Sequence, residues 1–286
     1  MPEATINIKK CAAIIGKIMP GFKPKIAIIL GSGLGAVSKQ IENAKQIDYK
    51  DLPDFHVTDI VGHSKKMHLG ILKGVPVVCL EGRTHLYEGI TKSIESIKTI
   101  IRTLKVIGCE ILLTTNAVGS LRVEHGPGSL MVIEDHINYT CQNPLMGPNN
   151  DEFGERFVSM DNAYDKDLRQ KISTIAQKLN IPISSGVYIA TSGPTFETHA
   201  EIRMFQILGG HAVGMSTAPE TIVARHCGLK VASVCAITNL GAGLSNEIVT
   251  HEATLDGAKI ATGHLTKLFL AVIPEIAKQN GAGGTI

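Results

Sequence analysis

The sequence predicts an α/β fold, a sandwich in which helices cover both faces of a central mixed β-sheet. Three observations lead there. Short apolar runs closed by glycine or a small polar residue recur along the chain; they are apolar on both faces, as strands buried beneath helices must be. Segments with apolar residues at helical spacing fall between them. The 286 residues are 44% hydrophobic and 19% charged, enough to build a sizeable core and too apolar for a disordered chain.

In chain order, Ile26-Ala-Ile-Ile-Leu30 reads as the first buried strand and Val75-Pro-Val-Val-Cys-Leu80 as the next. Ile94, Ile97, Ile101 and Leu104 then keep the spacing of a helix face. Ile111-Leu-Leu-Thr-Thr115 is a strand, and Leu168, Ile172, Ile175 and Leu179 mark a second helix. Gly186-Val-Tyr-Ile-Ala190 is a strand, residues 199–208 a short helix, and Val231-Ala-Ser-Val-Cys-Ala-Ile237 a further strand. A closing helix covers residues 254–277, interrupted by Pro274. Strands alternating with helices are the pattern of an α/β architecture. No repeat or linker-like stretch divides the chain, so one domain is expected over residues 1–286. Residues 143–151, rich in Pro, Gly and Asn, read as an ordered loop, and 281–286 as a mobile tail.

A net charge of +2 gives no case for a nucleic acid or an anionic membrane as partner. The six cysteines, Cys11, Cys79, Cys109, Cys141, Cys227 and Cys235, form no Cys-x-x-Cys pair. Several lie in apolar runs, where a buried free thiol is expected rather than a disulfide or a metal ligand. Residues 1–10 hold no apolar stretch behind a basic start, and no apolar run approaches the roughly 20 residues of a membrane span, so a cytoplasmic location is expected.

The segments that carry chemistry sit where the apolar runs end, which is where ligands collect in open α/β sheets. The glycines of Gly31-Ser-Gly-Leu-Gly35 let backbone N–H groups approach an oxyanion, and Ser32 adds a hydroxyl. Gly31, Gly33 and Ala36 equally satisfy the dinucleotide pattern G-x-G-x-x-G/A, so this loop alone leaves phosphate and a nicotinamide cofactor both open. Gly82-Arg-Thr-His-Leu-Tyr-Glu-Gly89 offers Arg83 as a bidentate phosphate fork, His85 as a donor and Tyr87 as a ring for a sugar; a surface loop whose arginine meets a carboxylate is the plainer alternative. His63, in Gly62-His-Ser64, reads as a phosphate ligand or a surface histidine. His68 is close enough to raise a metal pair, but no third ligand is spaced to complete it.

Gly193-Pro-Thr-Phe-Glu-Thr198, Val213-Gly-Met-Ser-Thr-Ala-Pro-Glu220 and Ala236-Ile-Thr-Asn239 bring a ring, a carboxylate, a hydroxyl and an amide into one stretch of chain. That set suits a flat heterocycle with polar edges: the ring stacks, the carboxylate accepts from ring N–H groups, and the amide donates and accepts. Glu197 beside Phe196 also fits a first-turn acid of the helix starting near His199. Gly214-x-Ser216-x-Ala218 approaches the nucleophile elbow of serine hydrolases but has alanine for the last glycine, with Pro219 behind it. Glu247 and His251 are only four residues apart, a poor acid–histidine pair. A Ser216 hydroxyl donating to phosphate fits better, with Met215 under an apolar sugar face.

Together with Thr115-Asn-Ala117 and Asp135-His-Ile-Asn138, these blocks resemble the trimeric purine nucleoside phosphorylase family, the branch acting on 6-oxopurine nucleosides. The likeness runs over residues 25–256 with the blocks in family order. It implies the mixed-sheet α/β fold of the nucleoside phosphorylases, a homotrimer, and no metal or organic cofactor, inorganic phosphate being a co-substrate. Ser32, His63, Arg83, His85, the Ala117 backbone N–H and Ser216 are implied to bind phosphate. Phe196, Glu197, Val213 and Asn239 are implied at the base, and Tyr87, Met215 and His251 at the ribose. Phe157, in Glu155-Arg-Phe157, is implied to reach the neighbouring subunit's site. Asn239, Glu197 and His85 are the implied catalytic residues.

The implied reaction is reversible phosphorolysis of inosine or guanosine, with xanthosine as a further candidate, to free base and (deoxy)ribose 1-phosphate. After Asn239 the chain reads Leu-Gly-Ala-Gly-Leu-Ser, more like the bacterial members, xanthosine phosphorylases included, than the animal ones. It has Thr191-Ser192 where xanthosine phosphorylases tend to have tyrosine. Methylthioadenosine phosphorylase is the runner-up, disfavoured by Asn239 and His251. An NAD-dependent oxidoreductase leaves Arg83, Glu197 and Asn239 without a task, and a non-catalytic nucleoside sensor leaves the phosphate set without one.

Overall fold

Ile26–Leu30 (β1) is buried along its whole length, which places it inside the sheet with a strand on either side. In the computed structural model, which describes residues 3–56 and 64–279, β1 pairs in parallel with Val75–Glu81 (β4) and with Ile111–Ser120 (β5). Glu42–Asp48 (β2) and Lys66–Leu72 (β3) extend the β4 side as an antiparallel ladder. On the other side β5 pairs in parallel with Lys230–Leu240 (β9) and antiparallel with Ala212–Gly214 (β8). Leu130–Asn138 (β6) and Ile183–Ala190 (β7) complete the circuit: β8 pairs with β7, β7 with β6, and β6 with β9. The nine-stranded mixed sheet is therefore open at the β2 end and closed on itself at the other, because β9 returns to β5.

Helices cover both faces. Glu3–Ile18 (α1), Ile90–Val106 (α2) and Ala218–His226 (α5) lie on one, where Ile15, Ile97, Ile101, Leu104 and Val223 pack on alternate residues of the strands. Lys166–Lys178 (α3) and His251–Gln279 (α6) lie on the other, burying Leu168, Ile172, Leu265, Leu268, Phe269 and Ile273. His199–Ile207 (α4) covers the closed end through Ile202 and Phe205, against Leu121, Ile189 and Val213. Pro274 lies inside α6, which continues to Gln279. By length and composition α6 is apolar enough to cross a membrane; its apolar face is taken up by the sheet core.

The edge strand β2 (ENAKQID) and the three-residue β8 carry too little apolar signal to be read from sequence. The expected strand ends also move. Asn116 to Gly119 and Asn239 were expected beyond the ends of their strands, yet they lie within β5 and β9. Closure of the sheet pairs these extensions, Gly119 opposite both Val213 and Asn239. The loop at 143–151 is held as expected: Asn149 donates to the Gly154 carbonyl and pairs with His226, and Arg156 donates to the carbonyls of Leu145 and Gly147. Residues 281–286 lie outside the described residues. All six cysteines are unpaired and all but Cys141 are buried; burial pushes the Cys11 thiol up to about 12, so it stays protonated and unreactive.

One glycine fixes the position of α6. Gly257 crosses β9 so closely that a Cβ there would collide with the Thr238 carbonyl. This close approach sets Thr254 and His251, about one and two turns earlier in that order, over the end of β9.

Candidate active site

A cavity of about 420 Å³ opens at the junction of the open and closed halves of the sheet. Its position follows from strand register. The pairing of β1 with β5 ends at Ile29 opposite Thr114, and β8 does not meet β5 until Gly119. Between those points the edge of β5 is open. The loop after β1 turns back onto it: Gly31 N–H donates to Thr115 Oγ1 at 3.1 Å, and a Cβ on Gly31 would lie 2.9 Å from Asn116 Cα. The next residues form a short 3-10 turn, Gly35–Gln40, and then β2. A dinucleotide fingerprint needs a long helix there, so the glycine loop does not belong to a nicotinamide site.

Ser32, Arg83, His85, Tyr87, Ala117, Phe196, Glu197, Val213, Met215, Ser216, Asn239 and His251 all line this cavity. Segments far apart in sequence are thereby brought to one place. Two expected residues are not among them. His63 lies outside the described residues. Phe157 is 87% exposed and turned outward from a loop pinned by Arg156.

At one end of the cavity Arg83 is buried with Glu220; their side chains are 3% and 4% exposed and lie 3.3 Å apart. Arg83 Nη1 also donates to Ser216 Oγ at 3.2 Å and Thr217 Oγ1 at 3.1 Å, and Nη2 donates to the carbonyls of Ile29 and Thr115. The guanidinium fork expected to clasp phosphate is thus engaged by protein groups. Arg83 brings positive charge and hydroxyl placement to the cavity rather than an open bidentate face. Both elements of the plainer reading, an arginine and a carboxylate, are present, but buried under the cavity floor instead of on a surface loop.

Ser216 precedes α5, with Pro219 in the first turn of that helix. The unusual backbone falls on Thr217, with φ 72° and ψ −50°, not on Ser216. A positive φ on a β-branched residue costs about 1–3 kcal/mol and persists only where its surroundings impose it. Here the Thr217 side chain is gripped by Arg83 and by Asn116 Nδ2 at 3.0 Å. Tyr188, fully buried, donates its hydroxyl to the Ser216 carbonyl and accepts from the Ser216 N–H. Among the described residues the Ser216 hydroxyl meets Arg83 and Thr217, which is not a nucleophile's setting.

His85 donates through its backbone N–H to Glu88 Oε1 at 2.6 Å, and its Nδ1 meets the same oxygen at 3.1 Å. Its ring stacks on Tyr87 with centroids 4.9 Å apart. Burial, helped by the Glu88 charge, pushes the Tyr87 hydroxyl up to about 12, so it remains a donor. Glu88, Thr217, Asn116 and Tyr188 were not singled out by sequence reasoning; Glu88 stood in plain view three residues after His85, while the others acquire their roles from tertiary contacts.

At the opposite end Glu197 is not a helix acid. The N-cap of α4 is Thr198, and its capping partner is Glu201. Glu197 stands ahead of the helix, half-buried. Burial raises its pKa above the ordinary carboxylate range, the Glu201 charge adding to this while a backbone N–H and the Thr191 hydroxyl oppose it. Asn239 has a fixed amide: Oδ1 accepts from Thr238 Oγ1 at 2.8 Å, and Nδ2 donates to the Leu240 carbonyl at 2.8 Å. The second Nδ2 hydrogen remains for an acceptor on a ligand. His68, the candidate for a metal pair, instead meets Glu81 Oε2 at 3.0 Å, and no metal-binding cluster occurs among the described residues.

A mixed sheet closed at one end, with a floor of arginine and hydroxyl groups and a carboxylate–amide pair above it, defines a class, and comparison supplies its name. Residues 25–274 match the family described as the Phosphorylase superfamily, to which the chain belongs. It is 43% identical over 269 residues to purine nucleoside phosphorylase 1 of Bacillus subtilis, covering 94% of this chain and 98% of that one. It is 40% identical to purine nucleoside phosphorylase of Mus musculus, covering 89% of each. The crystal structure of Schistosoma mansoni purine nucleoside phosphorylase in complex with inosine superposes with a TM-score of 0.87 at 35% identity, covering 94% of this chain and 95% of that chain. Within the superfamily the chain falls among the purine nucleoside phosphorylases.

Proposed function

We propose that this chain catalyses the reversible phosphorolysis of 6-oxopurine (deoxy)ribonucleosides, inosine and guanosine first, to free base and (deoxy)ribose 1-phosphate. The observation that carries it is a single cavity lined at one end by Arg83, His85 and Ser216 and at the other by Glu197 and Asn239. Breaking the glycosidic bond puts negative charge on the purine and positive charge on the ribose, so catalysis needs stabilisation at both ends. Asn239 Nδ2 donates to N7 as the base leaves. Glu197 accepts from N1–H and from a 2-amino group. The phosphate lies under the sugar, stabilises its cationic character and captures it. Ser32, Ser216, His63, His85 and the Ala117 N–H hold that phosphate in line, an orientation effect, and the Arg83 charge lowers its energy there. With Nδ1 turned to Glu88, His85 addresses phosphate through Nε2. Tyr87, Met215 and His251 contact the ribose, and Phe196 and Val213 flank the base. Protein groups and phosphate supply all of this charge stabilisation, and the reading asks for no metal or organic cofactor.

The test is incubation with inosine, guanosine and xanthosine, with and without phosphate. Base release should require phosphate and yield ribose 1-phosphate. Equal release in phosphate-free buffer would make the protein a hydrolase.

The same reading includes a homotrimer with shared sites. Phe157 and Met146, 87% and 71% exposed, stand on one anchored loop, and a large exposed aromatic is costly unless a partner covers it. Phe157 caps the sugar in the neighbouring subunit. Phe157→Ala should weaken nucleoside binding much more than phosphate binding, and mixed trimers with Glu197→Ala should regain activity. A fully active monomer at micromolar concentration would rule out the shared site.

A further inference from the structure

Hydrogen counting at the cavity floor assigns a direction to its hydroxyls. Thr217 Oγ1 accepts from Arg83 Nη1 at 3.1 Å and from Asn116 Nδ2 at 3.0 Å. A guanidinium nitrogen and an amide NH2 only donate, so neither can take the Thr217 hydrogen. The hydrogen then goes to the remaining neighbour, Ser216 Oγ, 3.2 Å away. The other neighbour of Ser216 Oγ is Arg83 Nη1 at 3.2 Å, again a donor only, whose two hydrogens are shared among Ser216, Thr217 and Glu220 Oε1. The Ser216 hydrogen is left pointing away from all of these groups, and Ser216 lines the cavity.

We infer that Asn116 and Thr217 are positioning residues that make Ser216 an obligate hydrogen-bond donor toward the bound anion. The relay runs one way, from Asn116 to Thr217 to Ser216 to phosphate. Asn116 is 2% exposed, Thr217 is fully buried, and Thr217 holds a backbone conformation that β-branched residues avoid. An unconstrained serine hydroxyl would spend part of its time donating to a neighbouring oxygen and presenting lone pairs to the phosphate. Here the orientation is set before the anion arrives, so no reorientation is needed on binding. The Asn116 Oδ1 atom has no hydrogen-bond partner among the described residues, so the donor end makes the contact with Thr217.

The inference rests on Ser216 being a phosphate ligand, and the experiment separates the two. Steady-state KM for phosphate and for inosine would be measured, with melting temperatures, in Ser216→Ala, Thr217→Val, Thr217→Ser and Asn116→Leu. Val and Leu keep the shapes and remove the hydroxyl and the amide donor. Ser216→Ala should raise the phosphate KM about tenfold, the loss of one hydrogen bond to a charged group. Thr217→Val and Asn116→Leu should raise it about threefold to tenfold while the inosine KM changes less than about twofold, and Thr217→Ser should restore it. Wild-type phosphate KM in Thr217→Val and Asn116→Leu beside a raised value in Ser216→Ala would overturn the relay. An unchanged phosphate KM in Ser216→Ala would overturn Ser216 as a ligand and the relay with it. The two relay variants act at different links, so if one fails to fold the other decides.

Discussion

Glu197→Ala is expected to lower kcat/KM for inosine by about one to two orders of magnitude, the cost of losing a charged hydrogen bond of about 1.5–3 kcal/mol. The purine N1–H would be left buried without its acceptor, so the loss falls on the transition state as well as on binding. The pH profile should carry the signature of the same group. Burial raises the Glu197 pKa, with Glu201 contributing and Thr191 opposing. Activity should therefore be full at neutral pH and fall as the pH drops through a value above the ordinary glutamate range. Glu197→Gln should remove that acid limb. The sign for stability is the reverse. A carboxyl whose folded pKa is raised favours the native state at low pH, and this contribution is lost as pH rises through the window up to the raised value. Glu197→Gln should accordingly be no less stable than the parent near pH 7. An acid limb that survives in Glu197→Gln, with unchanged inosine kinetics, would remove Glu197 from the base site.

Arg83→Met should produce the largest loss of stability. It leaves Glu220, 4% exposed, as a buried carboxylate without its cation. Breaking such a pair from one side costs about 3–5 kcal/mol. Ser216 and Thr217 would lose their shared donor in the same step, so the phosphate KM should rise as well. Replacing both members, Arg83→Met with Glu220→Gln, should recover much of the stability, since no unpaired charge then remains, while leaving phosphate binding poor. Urea unfolding of the two single variants and the double variant measures the coupling directly. Additive losses would show that the pair acts as two independent groups.

Much of the site was legible because its residues are ones a core does not ask for. A carboxylate beside a ring in a Gly-Pro turn, an Arg-x-His-x-Tyr between glycines, and an amide at the end of an apolar run have no packing purpose, so Phe196, Glu197, Arg83, His85, Tyr87 and Asn239 could be named before any fold was known. The residues that went unnamed look ordinary in sequence. Thr217 is one threonine among many until its φ of 72° and its grip by Arg83 and Asn116 are seen. Tyr188 reads as a strand aromatic, and only its hydroxyl on both polar atoms of the Ser216 backbone gives it a task.

The alternation of buried strands and amphipathic helices is written locally in the chain, because burial on both faces demands continuous apolar runs and helices demand a stripe. So is the set of side chains available for chemistry. Tertiary structure alone decided that the sheet closes on itself at one end, since pairing of β9 with both β5 and β6 is a long-range register with no local signal. That closure carried Asn116 and Asn239 into strands rather than beyond them. It also decided that Arg83 spends its fork on Glu220, Ser216 and Thr217. A buried guanidinium must satisfy its donors with whatever the fold brings near, and those partners come from a segment more than 130 residues away in sequence.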